Sequence, residues 1–170
     1  MHKSKLTLAQ IALFGMLGAM TFGAKVAMSG LPNIEPVSLF VMVFAVVFGW
    51  KCLYPIYVYV VMEFLIFPGG FWNINYLYVW LILAVVAIFL RKYRHPLCWA
   101  LISGTFGMAF GLLCAPVYAF VGGGGWNYAW RWWLAGLPYD IPHAVGNFVI
   151  ALLLFVPLRQ LMEKLYAKMQ

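Results

Sequence analysis

Glu63 lies in YVVMEFLIF, an apolar run with no other charge. An ionised carboxylate there is costly unless it faces a cavity or a partner. Glu63 is therefore read as a ligand contact, with an ion pair to Lys25 or a hydrogen-bonded neutral acid as the structural alternative. A second constellation lies in GLPYDIPHAVGNFVIALLL, where Asp140, His143 and Asn147 are spaced by three and four and share one helical face. An acid, an imidazole and an amide on one face suit hydrogen bonding to a polar ligand, or acid–base work. Capping accounts for Asp140 alone, since it precedes Ile141 and Pro142 and proline is welcome in a first turn. A buried hydrogen-bond network is the plainer reading of His143 and Asn147.

Aromatic side chains could add stacking surfaces. FWNINYLYVW and GGGGWNYAWRWW hold Trp72, Trp126 and Trp130, denser than an interfacial belt requires, and Asn33 lies with them on the same side. The four-glycine run lacks the Lys-Ser/Thr of a phosphate loop. There is no HExxH, GxSxG or CxxC, and Cys52, Cys98 and Cys114 lie far apart. Neither a metal, a cofactor nor a catalytic residue is expected.

The elements that must position these residues follow from composition. Of 170 residues, 66% are hydrophobic and 9% charged, too few polar groups to coat a soluble domain. Long apolar runs without alternation predict helices rather than barrel strands. Six spans are marked, at about 7–28, 37–50, 53–68, 76–90, 97–120 and 139–158. The expected fold is an all-α integral membrane protein, one bundle of six transmembrane helices over residues 1–170. The second span is short, so it must tilt little or be partly sheltered by protein. The basic start followed by an apolar stretch reads as a retained first span rather than a cleaved signal peptide.

Lys3, Lys5, Lys51, Arg91, Lys92, Arg94, Arg159, Lys164 and Lys168 fall at the termini and every second connection. That asymmetry predicts cytoplasmic termini and a multi-pass plasma-membrane protein. It also explains the net charge of +7 without nucleic acid. Glu35, Glu63 and Asp140 then belong to the outer side or the membrane. On the first span, Gly15, Ala19, Gly23 and Ala27 recur at steps of four, a small-residue stripe that lets another helix approach.

KVAMSGLPNIEPVSLFVMVF, with Pro32-Asn33-Ile34-Glu35-Pro36 leading into the second span, resembles the corresponding loop of S components, the substrate-binding subunits of bacterial energy-coupling factor (ECF) vitamin importers. GLPYDIPHAVGNFVIALLL is similar to theirs too, and the likeness covers essentially the whole chain. It implies a non-enzymatic subunit that binds a micronutrient on the outer side. It further implies docking through Gly15, Ala19 and Gly23 onto a transmembrane coupling subunit, with two cytoplasmic ATPases completing the importer. The family typically writes Ala-x-x-x-Ala on the first helix, where this chain has Gly15 and Ala19.

The expected ligand is a small planar heteroaromatic vitamin or precursor. Pyridoxine-like compounds are favoured, with a thiamine-related pyrimidine, riboflavin or a deazaguanine also fitting. Glu63, Asp140, His143, Asn147, Asn33, Trp72 and Trp126 are its expected contacts. Two rival readings stand beside it: a small intramembrane enzyme on a lipid or isoprenoid using Asp140 and His143, and a stand-alone secondary carrier.

Overall fold

The computed structural model describes residues 6–169, so Lys3 and Lys5 lie outside the described residues. The described chain is all-helical: α1 (Leu8–Ala27), α2 (Val37–Phe48), a 3-10 turn (Gly49–Cys52), α3 (Leu53–Ile66), α4 (Phe71–Tyr76), α5 (Val79–Leu90), α6 (Pro96–Phe120) and α7 (Gly125–Ala167). Five segments among them are long and apolar enough to cross a membrane: α1, Val37–Ile66, Phe71–Leu90, α6 and α7.

Local chemistry starts several of these helices. Thr7 caps α1 in a reciprocal capping box: its hydroxyl accepts from the Gln10 N–H at 3.2 Å, and the Gln10 side chain accepts from the Thr7 N–H at 3.4 Å. His95 caps α6, with Pro96 at the first helical position, where its missing N–H leaves nothing unpaired. By contrast, α2 (VSLFVMVFAVVF) is rich in β-branched residues that favour strands. It is helical nonetheless, as an isolated segment in apolar surroundings must satisfy its backbone internally.

Ten of the twelve residues of α2 are buried, and it packs against α1, α3, α5 and α7. The short second span is thus largely sheltered by protein, one of the two expectations its length raised. A straight helix over Val37–Ile66 would run about 45 Å. Instead Glu35, just before α2, and Glu63, near the end of α3, line one cavity, so the chain doubles back at the 3-10 turn. Gly49 makes the turn with φ +57°, a conformation that disfavours side chains. Close approach elsewhere also rests on glycine. A Cβ on Gly18 would lie 2.7 Å from the Pro55 carbonyl oxygen, which lets α1 press on α3.

Two expected boundaries need correction. The fourth span begins as a separate short helix, α4, before α5. The last span is far longer than 139–158: α7 runs through 43 residues and takes in Trp126 and Trp130, which sequence places in a loop. Pro142, which sequence places in a first turn, lies inside it, along with Pro138 and Pro157. In apolar surroundings neighbouring groups can compensate for the backbone bonds that proline removes. Asp140 therefore does not cap a helix.

Candidate functional site

A cavity of about 550 Å³ opens at one end of the bundle. Its wall is assembled from the end of α1 (Lys25), the connection 28–36 (Asn33, Glu35), the end of α3 (Glu63, Phe67), α4 (Trp72, Tyr76), α6 (Phe110) and α7 (Asp140, His143). Three of the four acids in the chain meet here. Among the described residues Lys25 is the one Lys or Arg on the wall.

Glu63 is 1% exposed, and its Oε2 accepts from Lys25 Nζ at 2.8 Å. The same ammonium donates to Tyr76 OH at 3.1 Å and lies 4.9 Å from the centre of the Tyr76 ring. Behind it Tyr59, Tyr76 and Trp80 form a tilted aromatic cluster with centroids 5.4 to 6.1 Å apart. This layer excludes water and strengthens the ion pair, while the ring face adds cation–π attraction. Glu63 Oε1 has no hydrogen-bond partner.

Asp140 and His143 are 6% and 5% exposed and reach the wall from α7. Asp140 Oδ1 accepts from the Gly111 N–H of α6 at 3.2 Å, while its Oδ2 is buried without a partner. Gly111 leaves room for this carboxylate: a Cβ there would lie 2.5 Å from Asp140 Oδ2, which would have to shift. One turn along, a Cβ on Gly107 would meet the Ala144 Cα and the His143 carbonyl oxygen at 2.9 Å. Gly104 and Gly107 thus bring α6 against the backbone of α7, and Gly111 extends this seam by making room for the Asp140 and Trp133 side chains. His143 sets its ring edgewise on Phe110, with centroids 5.0 Å apart, and its Nε2 is unpartnered.

The connection 28–36 closes one side. Ile34 rests on Gly146, where an added Cβ would come within 3.2 Å of its side chain. Asn33 takes φ +57°, a conformation asparagine tolerates better than most residues. Glu35 is half-buried, and burial raises its carboxyl above the usual range, with Lys25 opposing the shift and Glu63 adding to it.

The structure therefore brings Glu63, Asp140, His143, Asn33 and Trp72 to one cavity. Asn147 is not on its wall: Asn147 Nδ2 donates to Ser38 Oγ at 3.1 Å, tying α7 to buried α2. Asp140 turns its one hydrogen-bonded oxygen to Gly111, not to His143. Trp126 lines a second, largely apolar cavity of about 450 Å³ with Trp130 and Trp133. Its exposed ring meets Phe120 edgewise at 5.3 Å.

Sequence reading passed over Glu35 and Tyr76 as site residues and left Lys25 as a surface anchor or ion-pair partner. It missed the glycine seam as well, although SGTFGMAFG displays the spacing. Among the described residues no group of three or more His, Cys, Asp or Glu is arranged to hold a metal ion. On α1, Gly15, Ala19 and Gly23 look away from the bundle: added Cβ atoms at both glycines would meet nothing within 4 Å, and Ala19 is exposed. Comparison with protein-family models, with characterised proteins and with solved structures returns no match.

Proposed function

We propose that this chain is the substrate-binding membrane subunit of an ATP-driven micronutrient importer of the ECF type. In this reading it spans the bacterial plasma membrane six times, with both termini cytoplasmic and the cavity facing outward. The observation that carries the reading is the cavity itself. Its volume of about 550 Å³ suits a one- or two-ring molecule, and buried polar atoms of Glu63, Asp140 and His143 on its wall have no partner within the chain. Buried groups left unpaired are expensive, and a ligand that pairs with them recovers that cost.

The ligand is a small planar heteroaromatic vitamin or precursor, with pyridoxine-like compounds favoured. It stacks on Trp72 and hydrogen-bonds Glu63, Asp140 and His143, with the 28–36 connection as cover. Asn147 acts at one remove, by holding α7 to α2. The outward-looking Gly15, Ala19 and Gly23 supply a smooth face for a transmembrane coupling subunit. Two cytoplasmic ATPase subunits hydrolyse the ATP, and this chain performs no catalysis.

Mass spectrometry tests the reading. Protein purified in detergent from cells grown in vitamin-rich medium is denatured, and the released small molecules are identified. One heteroaromatic compound at near-equimolar amount is the expected result. A protein that releases none, and whose melting no vitamin in a panel shifts, overturns it.

A further inference from the structure

We infer that the group recognised in the cavity is a cation, and that Asp140 and Glu35 rather than Glu63 select for it. This rests on the reading that the cavity is a ligand site, and it names the class of ligand.

The three wall carboxylates are not equivalent. Glu63 already has its counter-ion, because Lys25 donates to it at 2.8 Å and is held there by Tyr76 OH at 3.1 Å. Asp140 and Glu35 form no ion pair among the described residues. Asp140 spends one oxygen on the Gly111 N–H and keeps the other buried without a partner. Its carboxylate lies against Gly111 on α6. With Lys25 spent on Glu63, the wall offers two acceptor carboxylates and no free Lys or Arg.

An anionic ligand would bring a further negative charge against them, and like charges at short range are strongly unfavourable in a poorly hydrated site. A neutral ring would leave their charge unmet. A flat cation with N–H donors meets both needs: charge-assisted hydrogen bonds to carboxylate oxygens and a face for Trp72 and Phe110. Lys25 already shows how these walls hold a cation, between a carboxylate and an aromatic face. The class is a protonated amine, an amidinium or an amino-substituted ring cation on a planar aromatic frame.

Three nearly isosteric probes separate charge from shape: benzamidine, benzamide and benzoate, titrated at neutral pH into the full chain in lipid nanodiscs by calorimetry. Benzamidine is expected to bind roughly tenfold or more tighter than benzamide, and benzoate more weakly than either. Asp140→Asn is expected to cut the preference for benzamidine over benzamide several-fold, read as the ratio of the two affinities. Glu35→Gln, on a connecting segment, should act in the same direction and serves as the second test if Asp140→Asn melts early. Equal binding of benzamidine and benzamide, preferred binding of benzoate, or no benzamidine binding up to about 10 mM, where so small a fragment should register, overturns the inference. So does cation selectivity that survives both substitutions. The importer reading fails separately. A cation-selective chain that never co-purifies with a coupling subunit loses that reading and keeps this one; an assembled importer indifferent to probe charge does the reverse.

Discussion

The two ends of this bundle handle buried charge in opposite ways. At the end away from the cavity, Arg159 is 7% exposed and its polar contacts are made: its Nε donates to Glu163 at 2.8 Å and its Nη1 to the Tyr93 carbonyl oxygen at 3.1 Å. The same carbonyl accepts from Trp99 Nε1 at 3.1 Å, and Trp99 stacks on Phe155 with centroids 4.3 Å apart. At the cavity end, Glu63, Asp140 and His143 are at least as buried, yet each keeps one unpartnered atom. One end is a finished structural joint. At the other, buried polar groups remain unpartnered, and the proposed ligand site rests on that contrast.

The sharpest way to break the contrast is to remove the one cation that the cavity end already holds. Lys25→Met strips Glu63 of its counter-ion, and an unpaired buried charge of this kind costs about 3–5 kcal/mol. The melting temperature should fall steeply, and adding Glu63→Gln should restore most of the loss. A neutral Lys25→Met would show that the ion pair contributes nothing to stability.

At the finished end, Arg159→Gln should cost about 1.5–3 kcal/mol, because it deletes charge-assisted bonds around Tyr93 and Glu163. Asp140→Asn, measured in the same melts, should cost little, since the amide oxygen can still accept from Gly111 and no ion pair is lost. Reversed ranks would erase the distinction between the two ends.

The smallest effect concerns Glu35. Its folded pKa lies above the ordinary carboxylate value, so the folded chain holds this proton more tightly than the unfolded chain does. The stability this adds is present below the ordinary value and is lost as pH rises through the raised one. Melting curves across that window should fall with pH in the wild type by more than in Glu35→Gln. Parallel curves would remove Glu35 from the balance of charge in the cavity.

Much of the architecture was legible in the sequence because apolar run length dictates it. The spans over α1, α2, α3 and α6 follow directly, and the need to shelter both Glu63 and the short second span predicted what the structure shows. Asp140 and His143 reach one cavity because a spacing of three puts them on one helical face. Asn147 shares that face but lies deeper, where Ser38 of α2 is the nearer partner. The start of α7 was hidden because proline and glycine punctuate soluble helices more strictly than those in apolar surroundings. Glu35 was hidden for another reason: no periodicity applies to a connecting segment, and only the packing of Ile34 on Gly146 carries it to the cavity.

The length of α7 gives the molecule a mechanical character. At a rise of about 1.5 Å per residue it extends some 65 Å, roughly twice the hydrocarbon thickness of a bilayer. Pro142 lies in the cavity wall region and Pro157 beside Arg159, and each deletes one backbone bond and softens the rod locally. Between these joints runs a stiff proline-free bar, fastened to buried α2 through Asn147 and Ser38.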